Sequence, residues 1–114
     1  MSETLFSKII NREIPADILY EDEEVLAFSD VSPQAPVHFL VIPKHPIPTI
    51  NDIQADQALL IGKMVLTAQQ LAKQKGIAED GFRLVMNCNE NGGQTVFHIH
   101  LHVLGGRAFS WPPG

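Results

Sequence analysis

Apolar and polar positions along the chain predict two helices and five strands. Apolar residues recur at helical spacing in residues 1–12 and, as a wider stripe, in residues 55–75. Short apolar runs that end at glycine, proline or acidic residues predict strands at 18–20, 25–28, 38–42, 82–86 and 96–104. With short connections, this order favours an α+β domain whose antiparallel five-stranded sheet carries both helices on one side.

The ends of the two predicted helices carry recognisable signals. Ser2 or Thr4 is suited to cap the first helix, because a hydroxyl can accept a hydrogen bond from a free backbone N–H. Gly76 follows the second helix, where a left-handed residue often ends a helix. The stripe on the second helix is wide for one sheet, so part of it is expected to face a second subunit.

The last predicted strand alternates histidine with apolar residues. His98, His100 and His102 occupy every second position of residues 96–104, and they are three of the five histidines in the chain. Successive side chains of a strand point to opposite faces, so the pattern places the three imidazoles on one face. A chemical role for the three histidines is therefore favoured over ordinary packing in a half-buried strand.

Composition narrows the classes of function. The chain has 114 residues and a net charge of −5 with no basic run, which argues against broad nucleic-acid binding. Its single cysteine, Cys88, excludes an intrachain disulfide and a cysteine-rich metal site. Neither a targeting segment nor a membrane span is apparent, so the expected location is the cytoplasm.

A metal site is one interpretation of the histidines. Imidazole is the commonest zinc ligand, but alternate side chains on a strand lie roughly 6.6 Å apart and ligand nitrogens only ~2 Å from zinc. Two neighbours could share an ion and three could not, so an outside ligand such as His38 would be required. This interpretation stays open but is less favoured, and no metal or cofactor is expected.

Covalent catalysis uses the spacing better. A neutral imidazole can attack phosphorus while a flanking imidazole carries the positive charge that phosphoryl oxygens require. Like charges suppress one another's ionisation, so the row is expected to hold a mixed protonation state near neutral pH. His100 is the natural nucleophile because it alone has a histidine on each side.

The residues before the histidines could bind a phosphate. Asn91-Gly92-Gly93-Gln94-Thr95 combines glycines, whose N–H groups can approach an anion, with two side chains that can donate. Alone, the segment predicts a hairpin turn. Beside three histidines, a phosphate cradle is the better interpretation, although no Gly-Lys-Ser/Thr of a P-loop follows.

The pattern His-x-His-x-His between apolar residues resembles the signature of the histidine triad (HIT) family. The resemblance covers almost the whole chain, as one domain of residues 1–114, and includes residues 30–44 and 92–96. The ending Trp111-Pro112-Pro113-Gly114 resembles the Hint branch, the nucleoside phosphoramidases. The resemblance implies hydrolysis of purine nucleoside 5′-phosphoramidates, AMP-amine giving AMP and amine, through a covalent nucleotidyl-histidine and without a cofactor.

Site residues follow from the same resemblance. It implies that His100 is the nucleophile, that His102 binds and polarises the phosphate oxygens, and that His98 and His38 support the site. Asp30 matches the carboxylate that holds the ribose hydroxyls. The expected base pocket is Phe6, Ile9, Phe28, Val31 and Leu40, and the expected phosphate contacts are Asn87, Gly93, Gln94 and Thr95.

The resemblance also implies a homodimer whose sheet continues across the two-fold through residues 82–86, with the C-terminal tail reaching the partner's active site. Three other functions stay open. One is a dinucleoside polyphosphate hydrolase, against which the Trp-Pro-Pro-Gly ending weighs. The second is a purine-nucleotide binding module with incidental turnover, and the third is a metal hydrolase.

Overall fold

The computed structural model describes residues 3–114, which form an antiparallel five-stranded sheet flanked by helices. The elements in chain order are α1 (Leu5–Ile10), β1 (Ile18–Glu21), β2 (Val25–Ser29), β3 (Val37–Pro43), α2 (Ala58–Gln74), β4 (Phe82–Val85), α3 (Asn89–Gly92) and β5 (Leu101–Gly105). The strand order across the sheet is β1-β2-β3-β5-β4, and every neighbouring pair is antiparallel. The predicted α+β class and five strands are confirmed.

The two main helices lie on opposite faces of the sheet, so the expectation of helices on one side is wrong. Side chains of α2, including Met64 and Leu71, pack against one face. Phe6 and Ile9 of α1 pack against the other face, which includes Leu40 of β3. The reason is visible in β2 and β3, whose apolar runs are continuous rather than alternating. Such strands are buried on both faces and need cover on both.

The final strand is shorter than predicted, because residues 96–100 are not in a ladder. β5 begins at Leu101, which pairs with Val41 of β3. The backbone N–H of Ile99 donates instead to the carbonyl of Ile47, 2.8 Å away, in the loop that follows β3. The apolar alternation still places Ile99 and Val103 in the core beneath α2.

Helix ends agree with their predicted signals where the structure describes them. Thr4 caps α1 reciprocally with Ser7, whereas Ser2, the other predicted cap, lies outside the described residues. Gly76 has φ of 75° just after α2, as expected for a left-handed residue at a helix end. The predicted first turn of this helix is a separate 3-10 turn at Ala55–Gln57.

The connection between β4 and β5 is longer than the hairpin turn that Asn91-Gly92-Gly93 predicts. It contains α3, and Gly93, the residue that follows this helix, has φ of 81°. The connection therefore curls back toward the face that α1 covers. Within residues 3–114, the helices are too short or too polar to cross a membrane.

Candidate active site

An open cavity of about 420 Å³ lies between α1 and the sheet, a volume in the range of small-molecule sites. Its walls come from α1, the segment after α1, the ends of β2 and β5, and the connection before β5. Eleven of the predicted site residues line it: Phe6, Ile9, Phe28, Asp30, Val31, Leu40, Asn87, Gly93, Thr95, His100 and His102. His38, Gln94 and His98 lie outside this lining.

His100 is held in the tautomer that a nucleophile needs. Its Nδ1 lies 2.8 Å from the backbone carbonyl of His98. Because a carbonyl only accepts hydrogen bonds, Nδ1 carries the proton and Nε2 keeps its lone pair. Burial lowers the pKa of His100, so the ring is neutral near pH 7. The ring of Phe6 packs edge-on against it, with centroids 4.9 Å apart.

A chain of hydrogen bonds determines the tautomer of His102. The backbone N–H of Gln34 donates to Nδ1 of His38 over 3.0 Å, so the proton of a neutral His38 is on Nε2. That Nε2–H donates to Nδ1 of His102 over 2.9 Å. His102 therefore presents Nε2–H, a donor, at the cavity where the phosphate is expected.

Burial keeps these imidazoles neutral in the protein without ligand, so the expected mixed protonation does not hold in that state. It is the largest cause of a pKa of about 4 for His102, with further lowering by His100 and His38. Burial also lowers the pKa of His38, against an opposing effect of Asp30, and the pKa of His98. The sequence shows the like charges but not the depth of burial, so it could not predict this state.

Asp30 lies at the mouth of the cavity, just after β2. One carboxylate oxygen accepts the backbone N–H of Ser32 over 2.7 Å, and the other is 3.4 Å from Nε2 of His38. Ligand atoms of Asp30, His38 and His102 all lie within 4.8 Å of one another, close enough to surround a metal ion. The two imidazole nitrogens are already joined by a hydrogen bond, so the geometry favours a proton-relay chain over a metal centre.

His98 lies on the same side of the sheet as His100 and His102 but does not line the cavity. The side chain is only 1% exposed and lies under Phe6, with ring centroids 6.0 Å apart. Its Nε2–H donates to the carbonyl of Pro43 over 2.7 Å. Its Nδ1 has no hydrogen-bond partner among residues 3–114. The alternation therefore places all three imidazoles on the side that α1 covers, as predicted, with His98 the most deeply buried.

Gln94 holds the loop before the histidines and has no donor left for a phosphate. Both hydrogens of its amide are used, on the carbonyls of Pro48 and Val96. Its side-chain oxygen accepts the backbone N–H of Asn89. The expectation that the Gln94 side chain donates to the phosphate is therefore corrected, since two backbone carbonyls already accept both of its amide hydrogens.

Comparisons with known proteins identify the family of this chain. The family model described as "HIT domain" matches residues 11–109. The chain belongs to the HIT family. This HIT protein is 59% identical over 105 residues to the purine nucleoside phosphoramidase of Escherichia coli K12. The matched residues cover 92% of this HIT protein and 88% of the relative.

Two further comparisons extend the likeness to the whole chain. An uncharacterised HIT-like protein of Synechococcus elongatus is 56% identical over the full length of both chains. The crystal structure of a HIT family hydrolase from Legionella pneumophila superposes with a TM-score of 0.96 at 52% identity, covering 98% of this HIT protein and all of that chain.

Several lining residues of the HIT site were not predicted: Leu5, Ile14, Pro15, Ala16, Ser29 and Val96. Leu5 had a usable signal, because it lies one helical turn from Ile9 on α1. Ile14 to Ala16 had none, since they belong to an irregular segment whose path is set by the sheet it crosses.

Proposed function

We propose that this HIT protein hydrolyses purine nucleoside 5′-phosphoramidates, releasing a nucleoside monophosphate and an amine through a nucleotidyl intermediate on His100. One observation carries the proposal: the His100–His98 hydrogen bond leaves a neutral ring with a lone pair on Nε2 beside a ligand-sized cavity. A relative at 59% identity carries the name purine nucleoside phosphoramidase, which supports the same substrate class.

The first step forms a bond between phosphorus and Nε2 of His100 as the P–N bond to the amine breaks. Nε2–H of His102 donates to a phosphoryl oxygen and stabilises the charge that develops there. An anionic phosphate beside His102 raises the pKa of that imidazole, so the complex holds one proton more than the free protein. The leaving amine takes this proton through the His38–His102 pair.

The second step reverses the roles. Water attacks phosphorus, the bond to Nε2 of His100 breaks, and one proton of the water returns to the His38–His102 pair. The other proton stays with the oxygen that joins the phosphate. The products are the nucleoside monophosphate and a regenerated neutral His100. No cofactor takes part, so a chelator should leave the rate unchanged.

Binding of the nucleoside is assigned to the rest of the lining. The carboxylate of Asp30 suits the two ribose hydroxyls, because it offers acceptor oxygens to both. The base is proposed to lie among the apolar side chains Phe6, Ile9, Phe28, Val31 and Leu40. The phosphate side is assigned to Asn87, Gly93 and Thr95, which line the same cavity.

The decisive experiment combines a substrate panel with trapping of the intermediate. The panel compares AMP-amine, GMP-amine and dinucleoside polyphosphates, and the phosphoramidates should be the better substrates. Acid-quenched single turnovers should show a nucleotide attached to His100 by mass spectrometry.

His100→Ala should lose both label and turnover while still binding AMP. His45→Ala, which alters an exposed histidine outside the site, is the control. Full turnover by His100→Ala would overturn the nucleophile assignment.

We propose further that the protein is a homodimer in which β4 pairs with its copy. β4 is at one edge of the sheet, and its Leu84 is 37% exposed. On α2, Leu59 is 90% exposed and Leu66 is also exposed, as an uncovered interface would be. Light scattering at several concentrations tests this assembly. The proposed location is the cytoplasm, which cell fractionation tests.

A further inference from the structure

We propose that Arg107 is a positioning residue that anchors the loop before β3, and thereby keeps His38 and His102 in the tautomers that the reaction needs. The inference rests on the proposed function, since it names a residue that prepares the same site from outside. Arg107 lies just after β5 and does not line the nucleotide cavity.

The guanidinium of Arg107 is held in a single place by three neighbours. It donates to the carbonyl of Gln34 from both Nη2 (3.1 Å) and Nε (3.4 Å). Its other amino group donates to the carbonyl of Ala108 over 3.1 Å. Its Cζ lies 4.2 Å from the centroid of the Phe109 ring, a cation–π contact. An arginine fixed on two sides in this way can direct its remaining donors at one carbonyl.

That carbonyl belongs to the residue whose N–H sets the tautomer of His38. Gln34 lies in residues 30–36, an exposed connection with two prolines and no strand ladder of its own. The side chain of Gln34 bonds only to Ser32 in the same loop. Among residues 3–114, Arg107 is the one side chain from outside the loop, besides His38 itself, that hydrogen-bonds to Gln34, so it fixes the orientation of this residue against His38.

A second contact joins the same two segments. Gly106, with φ of 90°, lies so close to the loop that an added Cβ would be 2.8 Å from Cβ of Pro36. The chain after β5 is therefore packed against the loop at Pro36 and hydrogen-bonded to it at Gln34. These two independent contacts hold the chain after β5 in one position against the loop.

The tautomer matters because the two alternatives present opposite groups to the phosphate. While the Gln34 N–H donates to Nδ1 of His38, the proton of His38 is on Nε2 and is donated to Nδ1 of His102. The proton of His102 is then on its own Nε2, which can donate to the phosphate. If the loop moves and that N–H is lost, Nδ1 of His38 can carry the proton instead. Its Nε2 then accepts from Nδ1 of His102, and Nε2 of His102 presents a lone pair to the anion. That state repels the phosphate oxygens instead of stabilising them.

The test compares Arg107→Ala and Arg107→Lys with Arg83→Ala as the matched control. Arg83 also lies over the Phe109 ring, at 5.1 Å, but it donates to the carbonyl of Ser110 and not to the loop. Removing Arg83 therefore disturbs the tail and leaves the Gln34 contact in place. Because Arg83 is on β4, the native mass of each variant is measured alongside.

Long-range ¹H–¹⁵N spectra of ¹⁵N-histidine protein, recorded without substrate, read the tautomers directly. In the wild type and Arg83→Ala, the proton of His38 and that of His102 should both be on Nε2. In Arg107→Ala, both rings should give averaged shifts from mixed tautomers. The kcat for AMP-amine should fall about fivefold, the usual effect of one hydrogen bond, with KM changed less than about twofold. Arg107→Lys should recover part of this loss.

Wild-type tautomers in Arg107→Ala would overturn the proposal, and so would an equal loss of kcat in Arg83→Ala, which would attribute the effect to tail packing. The spectra also separate this inference from the proposed function. If no phosphoramidate is turned over but Arg107→Ala still mixes the tautomers, the anchor stands and the proposed reaction fails.

Discussion

Phe6 links the packing of the short helix α1 to the reactivity of His100. Its buried ring lies edge-on to His100, with centroids 4.9 Å apart, and to Phe28 at 5.5 Å. Phe6→Ala removes this ring and admits water beside the imidazole. Truncation of a buried Phe costs about 3 kcal/mol or more. α1 is held by only two buried side chains, Phe6 and Ile9. The cost should therefore appear as detachment of α1 as well as reduced global stability.

The effect on chemistry follows from the direction of the pKa shift. Burial lowers the pKa of His100, and the reactive form is the neutral ring. The wild type should therefore keep most of its activity at about pH 6.5, where an ordinary histidine is half protonated. In Phe6→Ala, hydration returns the pKa of His100 toward its ordinary value. The acidic limb of kcat/KM should move to higher pH, with about half of the plateau left near pH 6.5.

The assay is kcat/KM for AMP-amine from about pH 5 to pH 8, with urea unfolding of each variant and direct titration of His100 by NMR. Ile9→Val is the control, because it trims the other buried side chain of α1 without altering the ring against His100. An unchanged acidic limb in Phe6→Ala, despite lower stability, would show that Phe6 does not set this pKa. An equal shift in Ile9→Val would attribute the effect to loosening of α1.

Three further predictions test other parts of the structure. The histidine pKa values are lowered in the folded state, so the unfolded state binds more protons below about pH 6.5. Their contribution to the free energy of unfolding should therefore be fully present above that pH and be lost as the pH falls. His102 alone, with its pKa of about 4, should account for a loss of about 2 kcal/mol by pH 5. A urea midpoint independent of pH would contradict this. Leu84→Lys on β4 should turn the proposed dimer into monomers by light scattering, whereas a monomeric wild type would refute the premise. Gly105→Ala should cost about 1–3 kcal/mol, because its Cβ would lie 2.6 Å from Cδ1 of Ile77. Ile77→Val in the same chain should recover part of that loss.

The strands were predictable because each is a compact apolar run, and the histidine alternation indicated the site. What failed depends on contacts distant in sequence. Residues 96–100 have the pattern of a strand, but Ile99 bonds to Ile47 rather than to a neighbouring strand. Gln94 has the chemistry of a phosphate donor, but Pro48, 46 residues away, takes one of its hydrogens. Propensity and alternation describe local preference and cannot show where a side chain finds its partner.

The placement of the helices was within reach of the sequence. The continuous apolar runs of β2 and β3 are typical of strands buried on both faces, and a sheet covered on both sides needs helices on both. The neutral state of the four imidazoles was less accessible. It depends on how deeply α1 and the surrounding loops bury the rings, which no pattern of residues in the chain expresses.

The sheet separates two apolar clusters that have different roles. The interior beneath α2 contains the larger cluster, and the one beneath α1 doubles as the wall of the binding cavity. Variation at Ile9 or Leu40 can therefore reshape what the cavity accepts while the packing under α2, on the opposite face, is left intact. A fold built this way can change ligand preference and retain its architecture, which makes the α1 side the natural place to redesign selectivity.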